Sequence, residues 1–213
     1  MKLLKRLFNK ILFGSKKGII WFPFLTYIFI LNIILRVIDL EEKRIKNIYL
    51  ISLGIDIVLG ILLHFTYDFF GENKFVGAFS AVNESVWEHL KLVFFPMLVN
   101  TIITFTFFKN KEKYICSKLF GMLISMTFII TFFYTYTGIL GNNYAIVDIL
   151  SFFVSVIFGE FYSYKIYKNK KKCESKLCVI VLFCIFVLFI IFTFNTPKLN
   201  IFIDPVYGKY GIF

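Results

Sequence analysis

Six apolar runs, each close to the length of a helix that crosses the hydrocarbon core of a bilayer, dictate what this chain can fold into. About 20 residues are needed at helical rise, and runs of that order recur at 18–38, 48–70, 84–108, 115–137, 144–166 and 177–194. The connectors are short, which leaves room for one bundle and no soluble domain. The chain is 59% hydrophobic and 21% aromatic, and its mean hydropathy of +0.79 lies far from the balance of a soluble domain. The expected fold is all-α: a polytopic integral membrane helix bundle of about six transmembrane helices. Residues 45–213 form a five-span core with an outer C-terminal tail, and residues 1–44 carry an amphipathic helix and one extra hydrophobic helix.

The formal charge of +11 does not point to nucleic acid, because the Lys and Arg residues sit in loops flanking apolar runs, where the positive-inside rule accounts for them. If the five later runs span, residues 36–46, 109–118 and 165–176 lie on one side with 14 Lys/Arg, against Lys74, Lys198 and Lys209 on the other. The crowded side is then cytoplasmic, and the protein is expected in a bacterial plasma membrane. Residues 1–13 segregate Leu3, Leu4, Leu7, Phe8 and Ile11 from Lys2, Lys5, Arg6 and Lys10, the pattern of a cationic helix on an anionic inner leaflet. If 18–38 spans, however, the first 17 residues carry six Lys/Arg to the outer side, against the rule. No secretory signal peptide is evident. Cys116, Cys173, Cys178 and Cys184 show no metal-ligand spacing and read as reduced, structural cysteines.

Charged groups at the mouth of apolar helices are the least expected feature. Ser52, Asp56, Gly60, His64 and Asp68 recur at fourfold spacing in the second run, a slowly drifting face that should point into the bundle. Asp148, Ser151, Ser155, Gly159 and Tyr162 make a second polar stripe, with Glu160 beside it. Ser117, Gly121 and Ser125 form a packing device. His64 and Asp68 stand near the outer end of the second run, and Glu84, Glu88 and His89 near the start of the third, joined by residues 71–83. Imidazoles and carboxylates brought together there would suit zinc, or manganese if oxygen dominates. His64, Asp68 and Glu84 are the candidate metal ligands, Glu88 the base for a metal-polarised water and His89 a ligand or acid, a hydrolase arrangement at the membrane surface.

A purely structural account competes with that one. Asn83 as helix N-cap, Glu84 and Glu88 matched to the helix dipole, Lys91 paired with Glu88 and Trp87 as interface anchor explain the stretch without function. They leave His64 and Asp68 unexplained, and ionisable groups inside a span are usually functional. A third account is a cation or proton translocator through Asp56, His64 and Asp148, with Glu160 on the inner side. A fourth is a structural membrane subunit. Nucleophile elbows and phosphate loops are absent from the sequence, and Tyr134 and Tyr136 read as belt aromatics. The tail after 194 is rich in Pro, Gly and aromatics, so it is expected to fold back over the outer mouth, bringing Asp204 to the acidic cluster.

The segments LLHFTYDFFG, FSAVNESVWEHLKLVFFPML, FFYTYTGILG and FTFNTPKLNIFIDPVYGKYG resemble, in the same order, a multi-pass bacterial membrane family designated domain-of-unknown-function family 6512. The likeness runs from about 45 to 211, with NESVWEHLK its most specific part, and makes 1–44 look like an addition. The resemblance implies no activity. It does imply that the shared segments meet on the proposed outer face.

Overall fold

The structure, a computed structural model, describes residues 18–169 and 173–212, and of residues 18–35, 37 and 38 the backbone alone. The amphipathic stretch expected at 1–13 lies outside the described residues. The chain divides into two units, residues 1–46 and 47–213. The first is helical over its described part. The packing and the site described below lie in the second.

The described chain forms six α-helices and two short 3₁₀ turns: α1 Gly18–Phe69, α2 Lys74–Gly77, α3 Val86–Thr104, α4 Lys111–Leu140, α5 Ala145–Lys168 and α6 Ser175–Phe194, with 3₁₀ turns at Phe105–Phe107 and Asn200–Phe202. Among the described residues, five stretches are long and apolar enough to cross a membrane: Asp39–Phe69 within α1, Val86–Phe107, Lys111–Leu140, Ala145–Lys168 and Ser175–Phe194. They follow the five core runs read from hydropathy, except that the first begins at Asp39, because α1 continues unbroken through the charged stretch 36–46 expected as a connector. The 20 residues of α6 make a rod of about 30 Å, the thickness of the hydrocarbon core.

Local chemistry sets the helix ends. Asn110 caps α4 by accepting from the Lys113 amide at 3.0 Å. At the other end Gly141, at φ +75°, donates to the Thr137 carbonyl at 2.8 Å, a left-handed stop that costs glycine little. Ser85, rather than Asn83, caps α3: its Oγ accepts from the Glu88 amide at 3.4 Å. Asn83 instead folds the preceding turn, its Oδ1 accepting from the Ser85 amide at 2.9 Å.

Small residues bring the helices together. The packing of α4 on α5 places Gly121 against Gly159. A Cβ at Gly159 would stand 2.0 Å from Ser125 Oγ and 2.8 Å from the Gly121 carbonyl oxygen. Ser125 Oγ donates to the Ser155 carbonyl at 2.8 Å, which closes the seam with a hydrogen bond in a region poor in water. Pro96 interrupts α3, and its missing N–H deprives the Leu92 carbonyl of the usual donor. Gly60 of α1 comes against that oxygen: a Cβ there would sit 2.7 Å from it and 2.5 Å from Phe152 Cζ. The core between these seams includes Phe94, Phe95, Met97, Met122, Val156 and Phe189.

The tail folds over the end of the bundle where α1 finishes and α3 begins, here called the mouth. Ile203 pairs with Tyr210 in an isolated bridge. Phe202 is buried and packs against Trp87, tilted by 40° at 4.8 Å between ring centroids. Trp87, expected as an interface anchor, is half-buried and packs on Phe189 and Phe192 of α6 and Phe202 of the tail. Tyr136 also differs from the belt reading: it is buried and donates its hydroxyl to Asp148. Cys116 and Cys173 are joined in a disulfide, contrary to the expectation of four reduced cysteines. Spacing along the chain could not show that the start of α4 and the approach to α6 meet.

Candidate functional site

The segment 71–85 crosses from α1 to α3, and two buried polar side chains hold it. Ser80 donates its hydroxyl to the Leu63 carbonyl and accepts from the Tyr67 amide at 3.1 Å, fastening the segment to the end of α1. Lys91 is fully buried. Its ammonium lies 2.6 Å from Glu88 Oε2 and donates to the carbonyls of Gly77 at 2.9 Å and Ser80 at 3.0 Å, and to Thr193 Oγ1 of α6 at 2.8 Å. Glu88 Oε2 also accepts from the Val82 amide at 3.0 Å. Glu88 and Lys91 therefore clamp the crossing segment, α3 and α6 to one another.

With the clamp in place, three groups converge. Glu84 Oε1 lies 3.9 Å from His64 Nε2 and Glu84 Oε2 3.5 Å from His89 Nε2, and one ligand atom from each residue falls within 4.8 Å of the others. Glu84 reaches His89 because it precedes the Ser85 cap and is not helical, which frees it from the angular separation a regular helix would impose. Its backbone is fixed by the tail: the Glu84 amide donates to Asp204 Oδ2 at 3.0 Å, and Asp204 Oδ1 accepts from the amides of Val206 at 2.7 Å and Tyr207 at 3.0 Å. Asn83 Nδ2 donates to the Gly211 carbonyl at 2.9 Å. The anticipated approach of Asp204 is thus to the Glu84 backbone.

Two of the residues singled out from the sequence stay outside this group. Asp68 is exposed and Glu88 is engaged by Lys91; neither is in the His64, Glu84, His89 set. Fourfold spacing gains about 40° per step around a helix, so the stripe that buries Ser52, Asp56 and Gly60 has turned partly outward at His64 and wholly outward at Asp68. Tyr67 takes the inward position there.

The arrangement has a defined polarity. His89 Nδ1 lies 2.9 Å from the Ser85 carbonyl, which can only accept, so Nδ1 carries a proton and Nε2 is the ring nitrogen turned toward Glu84. Separations of 3.5 and 3.9 Å exceed those of direct hydrogen bonds. They fit the edges of a metal polyhedron: tetrahedral zinc with bonds of about 2.1 Å sets its N and O ligands about 3.4 Å apart. A backbone-oriented imidazole is also what metal sites use to fix their tautomer.

The three groups line a cavity of about 440 Å³ that continues between the helices past Gly60, Leu92, Phe133 and Phe152 to Asp148 and Ser151. Its walls are mainly apolar. Asp148 accepts from Tyr136, and the same hydroxyl accepts from the Tyr144 amide at 3.2 Å.

A second polar group lies deeper. Asp56 Oδ1 accepts from Asn100 Nδ2 at 2.8 Å, and Glu160 Oε1 lies 2.6 Å from Lys118 Nζ. All four are buried, and the Asp56 and Glu160 carboxyls lie within hydrogen-bonding reach of each other. Lys118 faces the rings of Tyr49 at 5.0 Å and Tyr114 at 5.8 Å. Sequence reasoning counted Lys118 among loop charges and passed over Asn100. The available signal was that each falls within a helical run beside small residues.

Over the described residues the fold is all-helical, with five helices long and apolar enough to cross a membrane and a polar mouth capped by the tail. The chain belongs to a Family of unknown function (DUF6512), whose model matches residues 19–212. The match begins inside the first apolar run, so 19–44 belong to the family pattern and are not an addition to it. No curated protein and no solved structure matches the chain.

Proposed function

We propose that this protein is a metal-dependent hydrolase at the outer face of a bacterial plasma membrane, acting on the polar end of an amphiphile. The observation that carries the reading is the convergence of His64 Nε2 and His89 Nε2 on the Glu84 carboxylate at 3.9 and 3.5 Å. With the imidazoles neutral, the two nitrogens and the carboxylate are complementary to a cation between them. His64, Glu84 and His89 are the ligands, zinc being favoured by two imidazoles and one carboxylate, a donor set that leaves an open coordination position. The ion would supply Lewis-acid polarisation of a bound water.

The chain's own residues supply the rest. With Glu88 committed to Lys91, the proton-accepting role falls to Asp148, which lines the same cavity and is oriented by Tyr136. The apolar walls accept a hydrocarbon chain and leave the headgroup bond at the metal. The test is hydrolysis of short-chain and long-chain ester and phosphoester amphiphiles by detergent-purified protein. Activity should be lost on chelation, restored by zinc, and reduced at least a hundredfold in Asp148→Asn. Chelator-resistant hydrolysis, or none with any of these substrates, would refute the assignment.

One observation favours a second reading. Two buried carboxyls within reach of each other, at Asp56 and Glu160, are features of cation or proton translocators. In that scheme Asp56→Asn abolishes a flux in liposomes, while His89→Ala does not.

A further inference from the structure

The chain contains another concentration of ligand atoms, at the opposite end of the bundle from the mouth. Cys116 near the start of α4, Cys173 before α6 and Cys178 in the first turn of α6 bring their sulfurs within 4.8 Å of one another. Cys116 and Cys173 share the disulfide. Cys178 Sγ lies 2.9 Å from Cys116 Sγ and 3.6 Å from Cys173 Sγ. A disulfide that only staples two helices needs no third sulfur against it. Here the third comes from a separate element and is closer to Cys116 than non-bonded sulfurs rest. Cys116 and Cys178 are buried in the apolar core and Cys173 is partly exposed, so two of the three sulfurs are shielded and one is reachable from solvent.

We propose that these three cysteines form a thiolate site for a soft d¹⁰ metal ion, Zn²⁺ or Cu⁺, when the disulfide is reduced. The donor set selects such ions, because three thiolates are soft and no hard oxygen donor is among them. The geometry is near what binding needs: with metal–sulfur bonds of about 2.3 Å, trigonally placed sulfurs stand about 4 Å apart, so separation of the bonded pair and small side-chain rotations are enough. The surroundings favour it too. Lys109, Lys111, Lys113, Lys165, Lys168 and Lys176 crowd this end and offset the negative charge of the complex. By the positive-inside rule it faces the reducing cytoplasm.

The chemistry balances with a low-molecular-weight thiol as reductant. Two RSH molecules give RSSR, the Cys116–Cys173 bond takes up two electrons and two protons, and metal binding then displaces the three thiol protons. The site is independent of the mouth and of any hydrolase activity there.

The test uses full-length protein in detergent, reduced anaerobically, and titrated with Cd²⁺ while thiolate-to-metal charge-transfer absorption is followed. Competition by Zn²⁺ and by buffered Cu⁺ ranks the two candidates. About one equivalent should saturate the band. The band should be lost in Cys178→Ser and Cys173→Ser, and unchanged in Cys184→Ser and in His64→Ala/His89→Ala. Cys173→Ser, at a partly exposed position, guards against a folding defect in the buried variant. No charge-transfer band after reduction, or a band that survives Cys178→Ser, overturns the proposal.

Discussion

Replacing Lys91 by methionine keeps most of the side-chain volume and removes the ammonium that binds Glu88, Gly77, Ser80 and Thr193. Glu88, buried beside it, is left as a charge whose remaining polar neighbour is the Val82 amide. Breaking a buried pair by removing one partner costs about 3–5 kcal/mol, and the Gly77 and Ser80 carbonyls lose their donor as well. Lys91→Met should therefore destabilise the protein by about 4 kcal/mol, close to a thousandfold in the folded-to-unfolded ratio. Unfolding titration in mixed detergent micelles measures this. Glu88→Leu/Lys91→Met should recover at least half of the loss, because the desolvated charge is gone. A single-variant loss below about 1 kcal/mol would mean the clamp is solvated, and a double variant no better than the single would refute the reasoning.

Other expectations follow from the same geometry. Gly159→Val should separate α4 from α5, because a Cβ cannot stand 2.0 Å from Ser125 Oγ; a loss of about 1–3 kcal/mol is expected in the same titration, with Gly54→Val, where a Cβ meets nothing within 4 Å, as control. Asp204→Asn should weaken metal binding at the mouth about 10–100-fold by loosening Glu84, read by competition with a chromophoric chelator, while the unfolding midpoint moves little. For topology, single cysteines at Asn142 and Lys198, both exposed, should react with an impermeant thiol reagent on intact cells, and one at Lys111 only after lysis. The reverse pattern would invert the orientation taken from the charge count.

Hydropathy makes the five core helices legible because a bilayer imposes both length and apolarity, and the observed spans follow the runs closely. The mouth was legible in outline, since His64 and the NESVWEH stretch had to meet across a short connector. Its membership was not. Spacing could not say that the helix begins at Ser85, which leaves Glu84 free to turn toward His89 and places Glu88 beside Lys91. Nor could it show that four steps of a drifting stripe carry Asp68 out to the surface. Lys118 and the three sulfurs were hidden for a different reason: their partners lie 42, 57 and 62 residues away, and contacts at such range are fixed by how whole helices pack.

The central claim is that His64, Glu84 and His89 hold one metal ion. Its most direct test is metal analysis of detergent-purified protein, with the zinc absorption edge on the same sample, for the native chain and for His64→Ala/His89→Ala in a Cys116→Ser/Cys173→Ser/Cys178→Ser background that removes the sulfur site. The account predicts about one zinc per chain bound by nitrogen and oxygen ligands, and none in the histidine variant. Metal content that is negligible in both, or equal in both, would contradict it.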